Sequence, residues 1–464
     1  MTEQAKFLEG SLFRHITVMA MTASVGLMAV FLVDFVDMIF ISMLGKAELA
    51  AAIGYAGAIL FFTGSFGIGM AIACGALVAR ALGQGDEGLA RQRATSSLVI
   101  GGGIGAVFAA LVWIYVPVLV ALLGASGETA DLAILYLRII LPSLPVFLLG
   151  VVGSAVLRSH GDGRRSMNVM IAAGVVNAVL DPILIFGLDL ELTGAALASI
   201  AARITMATLA LRAVHLVHNG LARPSLASLG GDLRPVMVIA VPAILTQLAT
   251  PVGQAYVTRA MSAFGEEAVA GMAIVGRLTP VAFGVLFALS GAVGPIIGQN
   301  AGAGKQDRVR STFLESLLFA GLVTVLVSAI LFLLRQPLAW LFALEDAPVA
   351  MSLVFLFAGP LSLLWFFNGV IFVSNAAFNN LGRPFTSTLV NWGRHTLGII
   401  PPVWFFAAWL GAPGVLIGQA LGGVVFAGIA AALVWQSLRT GASEAAPDPY
   451  HRHARLFQLF QHRR

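Results

Sequence analysis

Three carboxylic acids stand inside long apolar stretches of the sequence, and these are the residues best able to do chemistry there. They are Asp34, Asp37 and Asp181. An ionised carboxylate in hydrocarbon costs roughly 3 kcal/mol unless it is paired, protonated or hydrated, so such a residue is a functional candidate. Two acids that share one water-poor site favour the uptake of a proton or a cation. Exchange of these ions is the chemistry that the three acids indicate.

Helical spacing brings other polar groups to the same place. Asp34 and Asp37 are three residues apart and share one face of a helix. Asp181 follows Asn177 by four residues, so a carboxyl and an amide lie on one face of another helix. Ser199 adds a hydroxyl in the next apolar stretch. We expect these residues to form an ion-coupling site, with Na⁺ at Asp37, Asn177 and Asp181 as one possible occupant.

The second half of the chain has polar and aromatic groups instead of acids. Aromatic faces attract lipophilic cations by dispersion and by cation–π interaction. The alternative for an aromatic run in a membrane helix is lipid contact or packing. We predict that substrate is bound by Gln247, Gln254, Trp365, Phe366 and Asn368.

The composition identifies the elements that position these residues. The 464-residue chain is 59 % hydrophobic and only 11 % charged, with a mean hydropathy of +0.93, whereas soluble domains carry about 25 % charged residues. One cysteine, Cys74, excludes an intrachain disulfide. The first apolar stretch is longer than the core of a cleavable signal peptide. The sequence therefore predicts an all-α polytopic membrane protein whose environment is the lipid bilayer.

Twelve membrane spans follow if each crossing takes about 20 apolar residues. The predicted spans are 16–44, 48–79, 95–123, 130–157, 166–188, 193–211, 235–262, 267–297, 311–334, 348–378, 386–409 and 412–438.

Basic residues give the orientation of these spans. Twenty of the 27 lysines and arginines fall on one side, whereas Lys46 and Arg335 fall on the other. The positive-inside rule then places both termini in the cytoplasm. We expect the chain to lie in the inner membrane. Because the basic residues lie in short loops and in the C-terminal tail, the net charge of +5 does not indicate a nucleic-acid partner.

The two halves of the chain resemble each other at an offset of about 220 residues. The matching landmarks are Leu44-Gly45 with Phe264-Gly265, Gly83-Gln84-Gly85 with Gly302-Ala303-Gly304, and Gly161 with Gly382. We predict two pseudo-symmetric six-helix lobes, an N-lobe (1–225) and a C-lobe (226–445), followed by a basic cytoplasmic tail (446–464). All three acids belong to the N-lobe. Duplicated bundles with a site near the midplane are a recurrent transporter architecture.

The sequence has no ATP-binding motif. Gly304-Lys305 looks like the end of a P-loop, but Gln299 occupies the position of its first glycine, and Gln306 replaces the Ser or Thr that holds Mg²⁺. We expect no cofactor and no enzymatic activity. Transport energy would come from a gradient of H⁺ or Na⁺.

Several motifs together resemble the multidrug and toxic compound extrusion (MATE) family. The segments that carry the resemblance are Val36-Asp37, Ser42-Met43-Leu44-Gly45, Arg158, Gly161, Arg164, Asn177, Asp181-Pro182, Leu184-Ile185-Phe186-Gly187, Gly194-Ala195-Ala196, Gly298-Gln299-Asn300 and Gly302-Ala303-Gly304-Lys305. The resemblance implies a monomer that exports cationic or lipophilic small molecules by antiport with H⁺ or Na⁺. Acids confined to the N-lobe resemble the DinF-type branch, whose coupling site would fall on Asp37, Asn177, Asp181 and Ser199.

One residue departs from the family pattern, and two other functions remain open. Thr22 stands where the family often has a proline in the first helix, so bending there would rely on Gly26. A lipid-linked oligosaccharide flippase would need more spans and more arginines in the cavity. An integral membrane transferase could use His160 and Asp162. Asp34 or Asp37 could instead form a structural ion pair with a buried arginine such as Arg203.

Overall fold

The structure is a computed structural model that describes residues 5–439, without the side chains of Asp34, Ser42 and Ala47. This part of the chain is built from helices joined by short turns, with no β-strand between residues 5 and 439. The predicted basic tail, 446–464, lies outside the described residues. The α-helices are α1 (Leu12–Met43), α2 (Ala47–Gly83), α3 (Glu87–Leu122), α4 (Gly127–Ile140), α5 (Leu144–Ser159), α6 (Gly163–Pro182), α7 (Glu191–Leu216), α8 (Leu226–Ser262), α9 (Glu266–Gly302), α10 (Gln306–Leu341), α11 (Pro348–Leu356), α12 (Trp365–Asn380), α13 (Pro384–His395), α14 (Ile400–Leu410) and α15 (Ala412–Arg439).

These helices form segments that agree with the twelve predicted spans. Ten helical segments of the described chain are long and apolar enough to cross a membrane. Helices α11 and α12 make an eleventh segment, which is bent by 62°. The remaining segment consists of α13 and α14, and the helix is interrupted between His395 and Ile400.

Two of the breaks in the spans fall at prolines. Helix α6 ends at Pro182 and continues as a π-helical turn, Ile183–Gly187. Pro360 lies in the bend between α11 and α12. Proline has no N–H to donate, so it interrupts the hydrogen bonds of a helix. Within a membrane such a break is tolerated where neighbouring helices cover the freed backbone groups. Helix α1 has no proline and is continuous from residue 12 to residue 43.

The predicted repeat is visible in the backbone of three pairs of turns. Each pair places a glycine in the left-handed region, which residues with a Cβ rarely adopt. The φ angles are +70° at Gly45 and +92° at Gly265, +76° at Gly85 and +70° at Gly304, and +76° at Gly161 and +78° at Gly382. The glycines of each pair are 219 to 221 residues apart, so equivalent turns of the two lobes have the same local geometry.

The two lobes meet through α1 and α2 of the N-lobe and α8 and α9 of the C-lobe. We call one end of the bundle the basic face; it carries residues 5–11 and the turns 84–86, 160–162, 217–225, 303–305 and 381–383. Helices α2 and α9 are in close contact at this face. A Cβ on Gly83 would lie 2.0 Å from the Gln299 carbonyl oxygen, and one on Gly302 would lie 2.2 Å from that of Arg80. Small residues permit such close approach of membrane helices.

The other halves of α2 and α9 are more open. A Cβ added at Gly54, Gly57 or Gly64 of α2, or at Gly276 of α9, would meet no atom of another element within 4 Å. The cross-lobe contacts of Gly83 and Gly302 therefore contrast with open space nearer the opposite face. The structure represents a state in which the lobes are closed together at the basic face.

Candidate functional site

The polar residues predicted in the N-lobe meet between α1 and α6. The Asn177 side-chain nitrogen lies 2.7 Å from Asp181 Oδ2 and donates a hydrogen bond to it. The same nitrogen lies 3.4 Å from Oδ1 and 3.5 Å from Oδ2 of Asp37. One amide therefore contacts carboxyls from two helices, which brings Asp37 close to Asp181. The predicted grouping of Asp37, Asn177 and Asp181 is present in the structure.

Burial makes this cluster sensitive to charge. Asp181 is completely buried, and Asn177 is 6 % exposed. Asp181 Oδ1 receives no hydrogen bond from the described part of the chain. A buried carboxylate oxygen without a donor is costly. A proton or a bound cation would satisfy this oxygen.

The local sequence explains why the side chains of Asn177 and Asp181 lie next to each other on α6. Asn177 and Asp181 are separated by four residues, one turn of the helix, so their side chains stack along the same face. Asp181 lies in the last turn of α6, directly before Pro182 and the π-helical turn. π-Helical turns often occur at functional sites. The carboxyl is thus held at a point where the span departs from regular helix.

Ser199 belongs to the surroundings of the cluster through Tyr136, a residue that the sequence analysis did not single out. Tyr136 on α4 is 8 % exposed. Its side chain lies near Ser199 on α7 and near both Asp37 and Asp181. A buried tyrosine hydroxyl needs a hydrogen-bond partner. Because Tyr136 stands inside a predicted span, this need was the signal in the sequence that could have pointed to Tyr136 as part of the site. The backbone of Asp34 lies in α1, but its side chain is not described.

Arg203, the arginine considered as an ion-pair partner of Asp34 or Asp37, forms hydrogen bonds with neutral groups. Arg203 Nη1 donates to Ser143 Oγ at 2.9 Å and to the Ile140 carbonyl at 3.3 Å. Its guanidinium also lies 5.2 Å from the ring centroid of Phe147. These contacts anchor α7 to the junction of α4 and α5.

The aromatic candidates of the C-lobe pack against other rings. Trp365 is stacked on Phe283, with 4.9 Å between the ring centroids and an angle of 10° between the planes. Phe287 meets the same indole at 5.7 Å. Phe366 contacts Phe367 edge to face at 5.3 Å. Trp365 is thus built into the aromatic packing between α9 and α12.

The polar candidates of the C-lobe have separate partners. Asn368 Oδ1 accepts a hydrogen bond from Arg394 Nη2. Gln254 Oε1 accepts one from Gln419 Nε2 at 3.4 Å. Gln247 is half-buried on α8. The contacts join α12 to α13 and α8 to α15.

Fold and site together define the class of protein. A two-lobed bundle of apolar helices, closed at one end and carrying a buried cluster of acids in one lobe, is a polytopic membrane transporter.

Comparison with known proteins identifies the family. The MatE family model matches twice, over residues 23–183 and 242–404. The FAD transporter of Shewanella oneidensis is 28 % identical over 412 residues, which cover 86 % of this chain and 89 % of that protein. The multidrug export protein MepA of Staphylococcus aureus is 26 % identical over 89 % of this chain and 92 % of its own length. The chain therefore belongs to the MatE family of transporters, and one match falls in each half of the chain.

Solved structures agree on the fold. The Vibrio cholerae MATE transporter VcmN in the bent form has a TM-score of 0.87 and 25 % identity, covering 92 % of this chain and 97 % of VcmN. A solved structure of the outward-facing conformation of a multidrug resistance MATE family transporter also has a TM-score of 0.87, at 21 % identity, and covers 96 % of this chain and all of that one. Because the chain belongs to the MatE family, it is a transporter and not an enzyme, and the transferase alternative is excluded.

Proposed function

We propose that this transporter is a secondary active exporter that is coupled to H⁺ or Na⁺ through Asp37, Asn177 and Asp181. The single observation that carries the proposal is the shared amide of Asn177, which contacts carboxyls from α1 and α6. Two carboxylates this close in a buried site repel each other unless a proton or a cation intervenes. Binding and release of that ion change the charge of the N-lobe, which is the requirement for coupling.

Coupling requires that the charged and the neutral forms of the acid cluster differ in stability between two conformations of the transporter. An ion shifts an equilibrium between conformations only by its differential affinity for them. A site open to the external solution favours ionised acids, whereas an occluded site favours the protonated or cation-bound form. Ion entry would therefore favour closure of the outer side, and ion release to the cytoplasm would reset the cycle.

For the substrate, we propose lipophilic or cationic small molecules, bound near Gln247, Gln254, Trp365, Phe366 and Asn368. The name of the staphylococcal relative, a multidrug export protein, supports this class. Exposed edges of the aromatic groups on α12 would contact the apolar part of such a compound.

A second substrate class, organic anions, is favoured by Arg394. Its guanidinium donates to Asn368, and its Nε has no hydrogen-bond partner in the described part of the chain. An arginine within a membrane span is a functional candidate by default. The Shewanella relative is named an FAD transporter, and FAD carries a pyrophosphate group that an arginine would recognise.

For the membrane arrangement, we propose that the basic face lies in the cytoplasm and that the chain works as a monomer of the DinF-type branch in the inner membrane. The distribution of basic residues supports this orientation. Cysteine labelling in a Cys74→Ala background tests it. An impermeant reagent applied to intact cells should label Lys46→Cys and leave Arg164→Cys unlabelled. The reverse pattern would refute the orientation.

Transport in proteoliposomes tests the proposed function. The full chain is reconstituted, and efflux of ethidium or FAD is followed under a pH gradient, under a Na⁺ gradient, and without a gradient. Acceleration by one gradient identifies the coupling ion, and the transported probe identifies the substrate class. Equal rates under all three conditions would contradict ion coupling.

A further inference from the structure

Residues 5–10, which we call the N-terminal strap, lie across the junction of the two lobes at the basic face. The strap precedes α1 and so belongs to the N-lobe by sequence, yet Phe7 is 1 % exposed and packs in the apolar core of the C-lobe. The same core contains Ile297 of α9 and Val309 of α10. Because the Phe7 side chain is completely buried, the strap is packed into the C-lobe and does not only lie on its surface.

Gln299 on α9 connects the strap to both lobes. Its side chain is completely buried. Oε1 accepts a hydrogen bond from the Phe7 backbone N–H at 2.9 Å, and Nε2 donates one to the Ser159 carbonyl of α5 at 2.7 Å. One amide thus joins the C-lobe to the strap on one side and to the N-lobe on the other.

Further contacts hold the strap on the C-lobe. Asn300 Nδ2 donates to the Phe7 carbonyl at 3.2 Å, and Arg308 Nη2 donates to the same oxygen at 3.0 Å. Lys305 Nζ donates to the Leu8 carbonyl at 3.1 Å. The strap is therefore fixed mainly through its own backbone, so its attachment depends on the side chains of α9 and α10 and on Phe7.

A hydrogen bond from the Lys6 side chain ties the strap to the N-lobe. Lys6 Nζ donates to the carbonyl of Gly161, in the turn between α5 and α6, at 2.9 Å. The Gly161 turn packs closely against the strap, because a Cβ there would lie 2.6 Å from Lys6 Cδ and 3.2 Å from Phe7 Cζ. The strap consequently bridges the ends of α5 and α9, the same two helices that Gln299 joins.

We propose that the N-terminal strap and Gln299 form a lock that holds the cytoplasmic side closed and that opens in every transport cycle. The proposal rests on the proposed function, because alternating access requires α5 and α9 to separate at this face. Separation breaks the bond from Gln299 to Ser159 and removes the bridge that Lys6 makes. These contacts stabilise only the closed state, so they set the balance between the two states. Each hydrogen bond contributes little net free energy because water replaces it, which allows the lock to reopen.

Spin-label distances test the lock in the full chain, reconstituted in a Cys74→Ala background. Labels at Gln84→Cys and Arg383→Cys occupy exposed turns of the two lobes on the basic face. Without further change, the short, closed-state distance should dominate. Gln299→Leu removes both bonds of the amide and should raise the ratio of open to closed molecules about tenfold.

The matched control is Gln306→Leu, a glutamine on the same face whose side chain makes no hydrogen bond in the described chain; it should leave the distances unchanged. Phe7→Ala leaves α5 and α9 intact, so it tests the lock even if Gln299→Leu fails to fold, and it should also lengthen the distance. Unchanged distances in Phe7→Ala, or in a folded Gln299→Leu, would overturn the proposal. Because distances are measured without substrate or gradient, this result is independent of efflux. Absence of coupled efflux would refute the proposed function alone.

Discussion

The Asn177 side-chain nitrogen lies 2.7 Å from Asp181 Oδ2 and 3.4 Å from Asp37 Oδ1. The shorter bond lies within α6, and the longer contact reaches α1. The amide is thus firmly attached to one carboxyl and loosely to the other. Movement of α1 relative to α6 would change the second contact first, so a change in ionisation at Asp37 is directly connected to the position of a helix that packs against the C-lobe.

Replacing Asn177 should uncouple ion binding at the acids from the position of α1. We predict that Asn177→Ala lowers gradient-driven efflux at least about tenfold, because a hydrogen bond to a charged group is worth about 1.5–3 kcal/mol. The matched control is Asn168→Ala, at an exposed position of the same helix, which should retain activity. Efflux is measured in proteoliposomes at equal protein content. Equal rates for the two variants would contradict a role for the amide.

Neutralising the acids should abolish coupling and leave the fold intact. Asp37→Asn and Asp181→Asn imitate the protonated acids, so both variants should insert into the membrane and lose gradient-driven efflux, by about tenfold or more. Removing a charge from hydrocarbon does not destabilise the protein, and substrate binding should persist. Asp34→Asn should have a milder effect. The measurement is efflux together with binding of the transported probe. Normal efflux by both Asp37→Asn and Asp181→Asn would overturn the mechanism.

The spacing of residues within one helix predicted the part of this site that lies on α6. The parts on other helices depend on how the helices pack. The pairing of Asn177 with Asp181 follows from one helical turn, and the lobes follow from equivalent glycine turns. Tyr136 and Ser199 stand on α4 and α7, and nothing in the sequence gives the distance between those helices. Helix periodicity is also a weak guide here, because a membrane helix is apolar both where it faces lipid and where it faces protein.

The C-lobe candidates illustrate the same difficulty. An aromatic side chain in a span can bind a substrate, contact lipid or pack in a core, and its residue type is the same in each case. Trp365 is stacked on Phe283, and this contact depends on how α9 and α12 cross. The burial of Phe7 could not be predicted for a different reason: the short N-terminal segment has no periodicity that could indicate a buried position.

The turn between α5 and α6 should make stability depend on pH. Burial opposes ionisation of Asp162, but hydrogen bonds from His218, at 3.0 Å, and from Arg165 outweigh it and hold the pKa of this carboxyl below its usual range. A lowered pKa in the folded state means that ionised Asp162 stabilises the protein above the unfolded pKa, about 3.9, and that this contribution is lost as the pH falls further.

Asp162→Asn should therefore lower the thermal stability at pH 7, by about 1 kcal/mol because the turn is partly exposed. The difference between the variant and the unaltered protein should shrink from pH 7 to pH 3. Thermal unfolding in detergent at the two pH values provides the measurement. The control is Asp131→Asn, an exposed acid near the opposite face, which should have little effect. A difference that grows towards pH 3 would contradict the assigned hydrogen bonds.

The close approach of α2 and α9 at the basic face should make this contact sensitive to added volume. A Cβ on Gly302 would lie 2.2 Å from the backbone oxygen of Arg80, whereas one on Gly276 of the same helix would meet no atom of another element within 4 Å. Replacing glycine by alanine stabilises a helix by about 0.5–1 kcal/mol where there is room. The difference between Gly302→Ala and Gly276→Ala in spin-label distance and in efflux rate therefore measures the effect of the steric clash between the lobes. Gly302→Ala should shift the spin-label pair on the basic face to longer distances and slow efflux several-fold, because backbone cannot move aside as a flexible side chain can. Gly276→Ala should leave both measurements unchanged. If Gly302→Ala also keeps the short distance and the full rate, then closure at this face does not require direct contact between the two backbones.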